Sequence, residues 1–261
     1  INGRPGPVLL EMKSNAMKEE IQNIDDYESP SITLSAPNIA DIKNAVKNIL
    51  KAKNPVIWVG QGTLYSGATN ELNKLVELIQ IPVLTTMQAK SAFDERHPLS
   101  LGSANRTAPK TVWHWLDKSD LILGLGTSWT KTNFGIDIPD GKFLIHNTNN
   151  VSDISKEYKT DIGLLGDTKL TIQMLIDEIK VQLGNSKREN NSIIESIAMI
   201  KKEWLDEILF VDGGSTDGTI EEARKMGFKV IIQKQKGHGA AVLEGANAIK
   251  SDNFILFGPD G

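Results

Sequence analysis

The chain has 261 residues, enough for one large or two ordinary domains, and its 39% hydrophobic and 24% charged residues match a globular protein rather than a disordered or fibrous one. A formal net charge of -4 argues against a dedicated nucleic-acid binder, which needs a basic face for phosphate contacts, so small metabolites are the expected partners. The absence of cysteine excludes disulfides, thiolate nucleophiles and thiolate metal sites, and no apolar run approaches the roughly 18 to 20 residues that span a bilayer.

Ile1-Asn2-Gly3 opens the chain with no initiator Met, charged n-region or apolar h-region, so we expect a cytoplasmic fragment without a secretory leader. From Pro37 onward helix and strand signals alternate, the pattern of a parallel sheet covered on both faces. Ile39, Ile42, Ala45, Val46, Ile49 and Leu50 recur at helical spacing, and Asn54-Pro55 ends that run. Val56-Ile57-Trp58-Val59 is a buried-strand pattern with a turn at Gly60-Gln61-Gly62. A helix over 67–80, carrying Leu72, Leu75, Val76 and Ile79, leads to a strand at Pro82-Val83-Leu84-Thr85-Thr86. After a looser connection come a helix near 111–116 and strands at 121–125, 143–145 and 162–165. A helix over 168–183 closes the unit, with Leu170, Met174, Leu175 and Ile179 expected inward. The polar stretch 184–191 reads as a linker. A helix over 192–205 precedes a second series: strand 208–211, the turn Asp212 to Gly218, helix 219–226, strand 229–233, helix 240–249 and strand 254–257.

Gly3-Arg4-Pro5-Gly6-Pro7-Val8-Leu9-Leu10, Ala52 to Gly62, Ser66-Gly67-Ala68, Pro82 to Thr86, Lys90-Ser91-Ala92-Phe93, His97 to Gly102 and Asp120 to Gly126 occur in the order seen in one family. On these, residues 3 to about 206 resemble the acetolactate-synthase-like branch of the thiamine-diphosphate (ThDP) enzymes. The resemblance implies α/β architecture, a Rossmann-like doubly wound parallel sheet of six strands that sits between two chemistry-bearing domains. It also implies ThDP with Mg²⁺, homo-oligomers, and carbon-carbon bond chemistry next to a 2-oxo acid. The family's catalytic glutamate and Gly-Asp-Gly site have no counterpart here, and Gly166-Asp167-Thr168 is the nearest approach. FAD or ADP lies along the strand ends in some members, which implies cofactor contacts at Gly60, Gly62, Thr85, Thr86, Gly126 and Thr127. Gly102-Ser103-Ala104-Asn105, Gly126-Thr127-Ser128-Trp129 and Ile145 to Asn150 depart from the flavin-binding pattern. The alternative is that the glycines are tight strand-to-helix turns. His97, before Pro98, reads as a turn residue, and neither His114 nor His146 has a ligand-spaced partner.

Val211-Asp212-Gly213-Gly214-Ser215-Thr216-Asp217-Gly218-Thr219, Lys236-Gly237-His238-Gly239-Ala240-Ala241 with Glu244-Gly245, and Gly258-Pro259-Asp260 resemble family 2 glycosyltransferases of the GT-A, dolichol-phosphate-sugar-synthase kind. This implies a partial GT-A α/β segment that would take a nucleotide sugar, with Asp212 accepting from base or ribose. Asp260 would supply one oxygen to a bridging Mg²⁺ or Mn²⁺. Gly213 and Gly258 stand where the family has further aspartates. The competing reading makes Asp217 or Thr216 a helix cap.

The expected organisation is therefore 1–30 as the tail of a pyrimidine-binding domain, 31–183 as the central domain, 184–207 as linker and helix, and 208–261 as the transferase piece. One text runs into the other at Glu207-Ile208, as in two fused genes or misjoined reads. Three functions are compatible: a ThDP-enzyme fragment whose catalytic groups lie elsewhere, sugar transfer from a nucleotide donor, or a non-catalytic nucleotide-binding module.

Overall fold

A computed structural model describes residues 3–4, 6–20, 27–29, 31–184, 191–203, 207–235 and 237–250. The chain forms two compact units, Ile1–Ile197 and Ala198–Gly261. The division falls within a helix, whose Ile193 and Ile197 are buried in the first unit's core.

After a 3-10 turn at Ala16–Lys18, the first unit's α-helices and strands begin with α1 (Ile39–Lys51), which starts where the Asn38 side chain accepts from the Ala40 amide at 2.8 Å. There follow β1 (Pro55–Val59), the single turn α2 (Gly62–Tyr65), α3 (Thr69–Ile79), β2 (Val83–Thr85), β3 (Ser100–Ser103), α4 (Lys110–Lys118), β4 (Leu121–Leu125), β5 (Phe143–Thr148), β6 (Ile162–Leu165), α5 (Thr168–Leu183) and α6 (Asn191–Glu203). The strands form one six-stranded parallel sheet in the order β3-β2-β1-β4-β5-β6. The chain winds outward from β1 in one direction, then returns through α4 to build β4, β5 and β6 on the other side. With right-handed crossovers, that reversal puts α4 on the face opposite α3. The expected Rossmann-like doubly wound sheet is thus observed.

Every residue of β1 and β4 is buried, which is why these strands read as unbroken apolar runs. Each fully buried Ile or Leu in them stabilises by about 1.5–3 kcal/mol. The edge strand β3 has no counterpart among the periodic signals: it is four residues long, holds Gly102 at φ +100°, and pairs with β2 through a register shift at Val83/Leu84. The inward face of α5 also differs from expectation. Thr168, Thr171, Ile172, Leu175, Ile176 and Ile179 are buried, whereas Leu170 and Met174 are only half-buried. Two buried threonines carry part of that face, and a hydrophobic count passes over them.

In the second unit β7 (Leu209–Asp212) pairs in parallel with β8 (Lys229–Ile232), joined by α7 (Thr219–Lys225) and followed by α8 (His238–Ala248). α8 lies against β7 at Gly245, where an added Cβ would stand 3.0 Å from Val211 Cγ2. The strand expected at 254–257 lies outside the described residues.

Candidate functional site

Reversal of winding direction at β1 and β4 leaves a crevice at their carboxyl ends, the usual ligand position in such sheets. Here the two strand-end turns are locked together. Gly60 N donates to Leu125 O at 2.8 Å, Gly62 N donates to Gly126 O at 2.8 Å, and Thr63 Oγ1 donates to Leu125 O at 3.1 Å. A Cβ on Gly60 would stand 2.4 Å from Gly126 O, and one on Gly126, whose φ is +61°, would stand 2.5 Å from Thr63 N. Each glycine therefore permits the approach of the opposite backbone. Thr86 N donates to Val59 O at 2.8 Å, and Thr85 is buried with its hydroxyl 3.1 Å from that of Ser103. Thr127 is buried as well, its Oγ1 accepting from Trp129 N.

Around this knot is a cleft of about 660 Å³. Gly60, Gly62, Thr86, Gly126 and Thr127 line it; Thr85 does not. Arg4 and Asp167 are the charged side chains among the lining residues. Arg4 is held in a two-point contact with the buried Asp153, at 3.2 and 2.7 Å, and Thr148 donates to the same carboxylate. Asp167 caps α5, its Oδ1 accepting from Leu170 N at 3.0 Å.

Several residues at this end of the sheet make contacts that the sequence did not indicate. Trp58, Gly124 and His146 stand side by side on β1, β4 and β5. Gly124 has no side chain, and Trp129 folds back into that space: an added Cβ would meet its indole at 2.4 Å. Trp129 stacks on His146 with centroids 4.3 Å apart and planes at 28°. Its φ of +44° is rare for a bulky residue and is held by this packing. His146 is buried, with Nε2 donating to Thr127 O at 2.8 Å and Nδ1 without a partner among the described residues, and burial pushes its pKa below the ordinary histidine value. Asn147 is fully buried and joins three elements. Its amide nitrogen donates to Leu164 O, Gly166 O and Thr171 Oγ1 at 2.9–3.1 Å, and its Oδ1 accepts from Gly126 N at 3.2 Å. The available signal was its place at the end of an apolar strand, where a polar residue requires a reason.

In the second unit Asp212 ends β7, and its carboxylate closes the following turn. Oδ1 accepts from Gly214 N at 2.7 Å and Ser215 N at 2.6 Å, and Oδ2 accepts from Ser215 Oγ at 2.9 Å. These bonds, the Ser215 amide foremost, hold its pKa below the usual aspartate value. Asp217 accepts from Thr219 N at 3.0 Å, just before α7. The Glu244 carboxylate accepts from the amides of Lys234 and Gln235. Asp260 and Lys236 lie outside the described residues.

The ThDP site implied by the first resemblance has no fit among the described residues. No group of three or more His, Asp or Glu there could hold a metal ion, Asp167 is engaged at its helix, and Gly166 is wedged against Ser35 and Pro37. No catalytic step is therefore assigned to that group.

Comparison with known proteins gives two family matches. The thiamine pyrophosphate enzyme central domain matches residues 42–175, and glycosyl transferase family 2 matches residues 186–260. A probable acetolactate synthase large subunit of Methanococcus aeolicus is 33% identical over 218 residues, covering 77% of this chain and 36% of that protein. The acetolactate synthase large subunit of Corynebacterium glutamicum is 31% identical over 210 residues, covering 77% and 32%. A crystal structure of benzoylformate decarboxylase from Polynucleobacter necessarius shares the fold, with a TM-score of 0.55 at 23% identity over 67% of this chain and 32% of that one. The chain spans about a third of the length of the curated relatives it matches.

Proposed function

This chain belongs to the thiamine pyrophosphate enzyme family by its central domain, and from that premise we propose that residues 31–183 are the positioning domain of an acetolactate-synthase-like enzyme. In this reading residues 1–30 and 184–207 connect to neighbouring domains. The parent enzyme makes or breaks a carbon-carbon bond next to a 2-oxo acid in the cytoplasm, as a homo-oligomer. ThDP with Mg²⁺ supplies the carbanion chemistry, held by domains other than this one. The supporting observation is the β3-β2-β1-β4-β5-β6 sheet together with the family match across it. This chain's own residues then act by shape: the Gly60–Gly126 knot and the Asn147 network fix the strand ends against which neighbouring domains are set.

Two measurements test this. The purified chain with pyruvate, ThDP and Mg²⁺ should release no CO₂ above the protein-free blank, and turnover would refute a purely positioning role. Replacing the equivalent segment of the Methanococcus aeolicus relative with residues 42–175 should give a folded chimera that still forms acetolactate. A folded chimera without activity would count against the assignment.

The glycosyl transferase family 2 match supports a second reading, confined to residues 208–261. There Asp212 shapes a turn for the base or ribose of a nucleotide sugar, and Asp260 contributes to Mg²⁺ or Mn²⁺ binding. Calorimetry with UDP- or GDP-sugars plus Mn²⁺ should show heat that Asp212→Ala abolishes. Absence of heat from the folded chain would dispose of this reading.

A further inference from the structure

We infer that Asp140-Gly141 is a site of spontaneous backbone modification, where the aspartate closes to a succinimide and reopens mainly as isoaspartate. This does not rest on the reading of the chain's function.

Ring closure needs a carboxyl group free to turn toward the chain, a following amide nitrogen free to attack it, and no side chain crowding that nitrogen. Three Asp-Gly pairs lie among the described residues: Asp140-Gly141, Asp212-Gly213 and Asp217-Gly218. Glycine relieves the crowding in all three, and the pairs differ in what holds the carboxylate. Asp140 is exposed in a turn with Gly141, and among the described residues no hydrogen bond or ion pair engages its carboxylate or the Gly141 amide. Gly141 has a φ of +77°, and nothing stands within 4 Å of an added Cβ, so the attack meets no steric obstacle.

The other two aspartates are occupied. The Asp212 carboxylate accepts from Gly214 N, Ser215 N and Ser215 Oγ, and the Asp217 carboxylate accepts from Thr219 N and Thr219 Oγ1. These bonds, the Ser215 amide foremost at Asp212 and the Thr219 hydroxyl foremost at Asp217, also hold both pKa values below the usual aspartate value. A carboxylate kept ionised is a poor electrophile.

The chemistry balances with water alone. Gly141 N forms a bond to Asp140 Cγ, the Cγ–OH bond breaks, and the amide proton leaves with that hydroxyl as water. Water then opens the imide. Attack at the side-chain carbonyl restores aspartate, and attack at the main-chain carbonyl leaves the backbone running through Cβ and Cγ, one carbon longer. Immediately downstream, Lys142 Nζ donates to Asp117 O and Ser119 O at the C-terminus of α4, and Phe143 N donates to Asp120 O at 3.0 Å as β5 begins. The extra carbon displaces both contacts, so modification loosens the junction of α4 with β5.

Ageing the 261-residue protein in warm neutral buffer tests this, with tryptic peptides read by electron-transfer fragmentation, which distinguishes isoaspartate from aspartate. Isoaspartate should accumulate at residue 140 at least about tenfold faster than at residues 212 and 217. Asp140→Glu, at an exposed position that spares the core, would have to close a larger ring and should leave this peptide unmodified. In hydrogen exchange the Phe143 amide should exchange faster in aged than in fresh protein, and equally in aged and fresh Asp140→Glu protein. Accumulation at residue 140 no faster than at 212 or 217 would overturn the inference. Unchanged exchange at Phe143 in protein shown to be modified would overturn the loosening of the junction.

Discussion

Asn147 illustrates how much one buried amide can decide. It donates to two strand-end carbonyls and to Thr171 and accepts from Gly126 N, so replacing it with an apolar side chain of similar size strands buried polar groups. Asn147→Leu should cost about 2–4 kcal/mol, read as a lower urea midpoint for the first unit. An unchanged midpoint would mean that the network contributes nothing net. Gly126→Ala is expected to be comparably damaging, about 2–4 kcal/mol, because it combines a left-handed backbone with a clash against Thr63 N. His146 adds a pH dependence. Its folded pKa lies below the unfolded value near 6.5, so the unfolded chain takes up the proton first. Stability is full above about pH 6.5 and falls as the pH drops below that value toward the folded pKa. Unfolding free energies measured at pH 7 and pH 5.5 should differ more for the native chain than for His146→Phe. Equal slopes would show that His146 is not the group responsible.

At the scale of elements, what the sequence conveyed depended on how completely each element is buried. β1 and β4 sit between layers, so all their side chains are apolar and their limits were plain. α1 and α3 bury one stripe each, and their periodicity was equally clear. β3 was hidden because an edge strand of four residues with a glycine and a bulge has no period to read. The face of α5 was misjudged because Thr168 and Thr171 point inward, where the Thr171 hydroxyl donates to Asp167 O and accepts from Asn147. β7 and β8 are at most half-buried along their length. Their amides should therefore exchange with solvent at least about 100-fold faster than those of β4 in hydrogen-exchange measurements. Comparable protection in the two sheets would contradict this.

For the whole molecule, alternation of apolar strands with amphipathic helices determined an α/β sheet with parallel strands, since only covered strands can be apolar throughout. The order of short motifs carried the family, and the strand-end glycines marked where the sheet reverses its winding. What those glycines do was decided only in three dimensions. Gly60 and Gly126 are 66 positions apart in the chain, and nothing local to either indicates that each makes room for the other. The same holds for Trp129 entering the space above Gly124, for Arg4 held by Asp153 and for Asn147 reaching α5. Composition and periodicity report whether a residue is buried, because burial depends on its own chemistry. Which donor meets which acceptor depends on partners brought together by folding, and that pairing sets the character of the cleft.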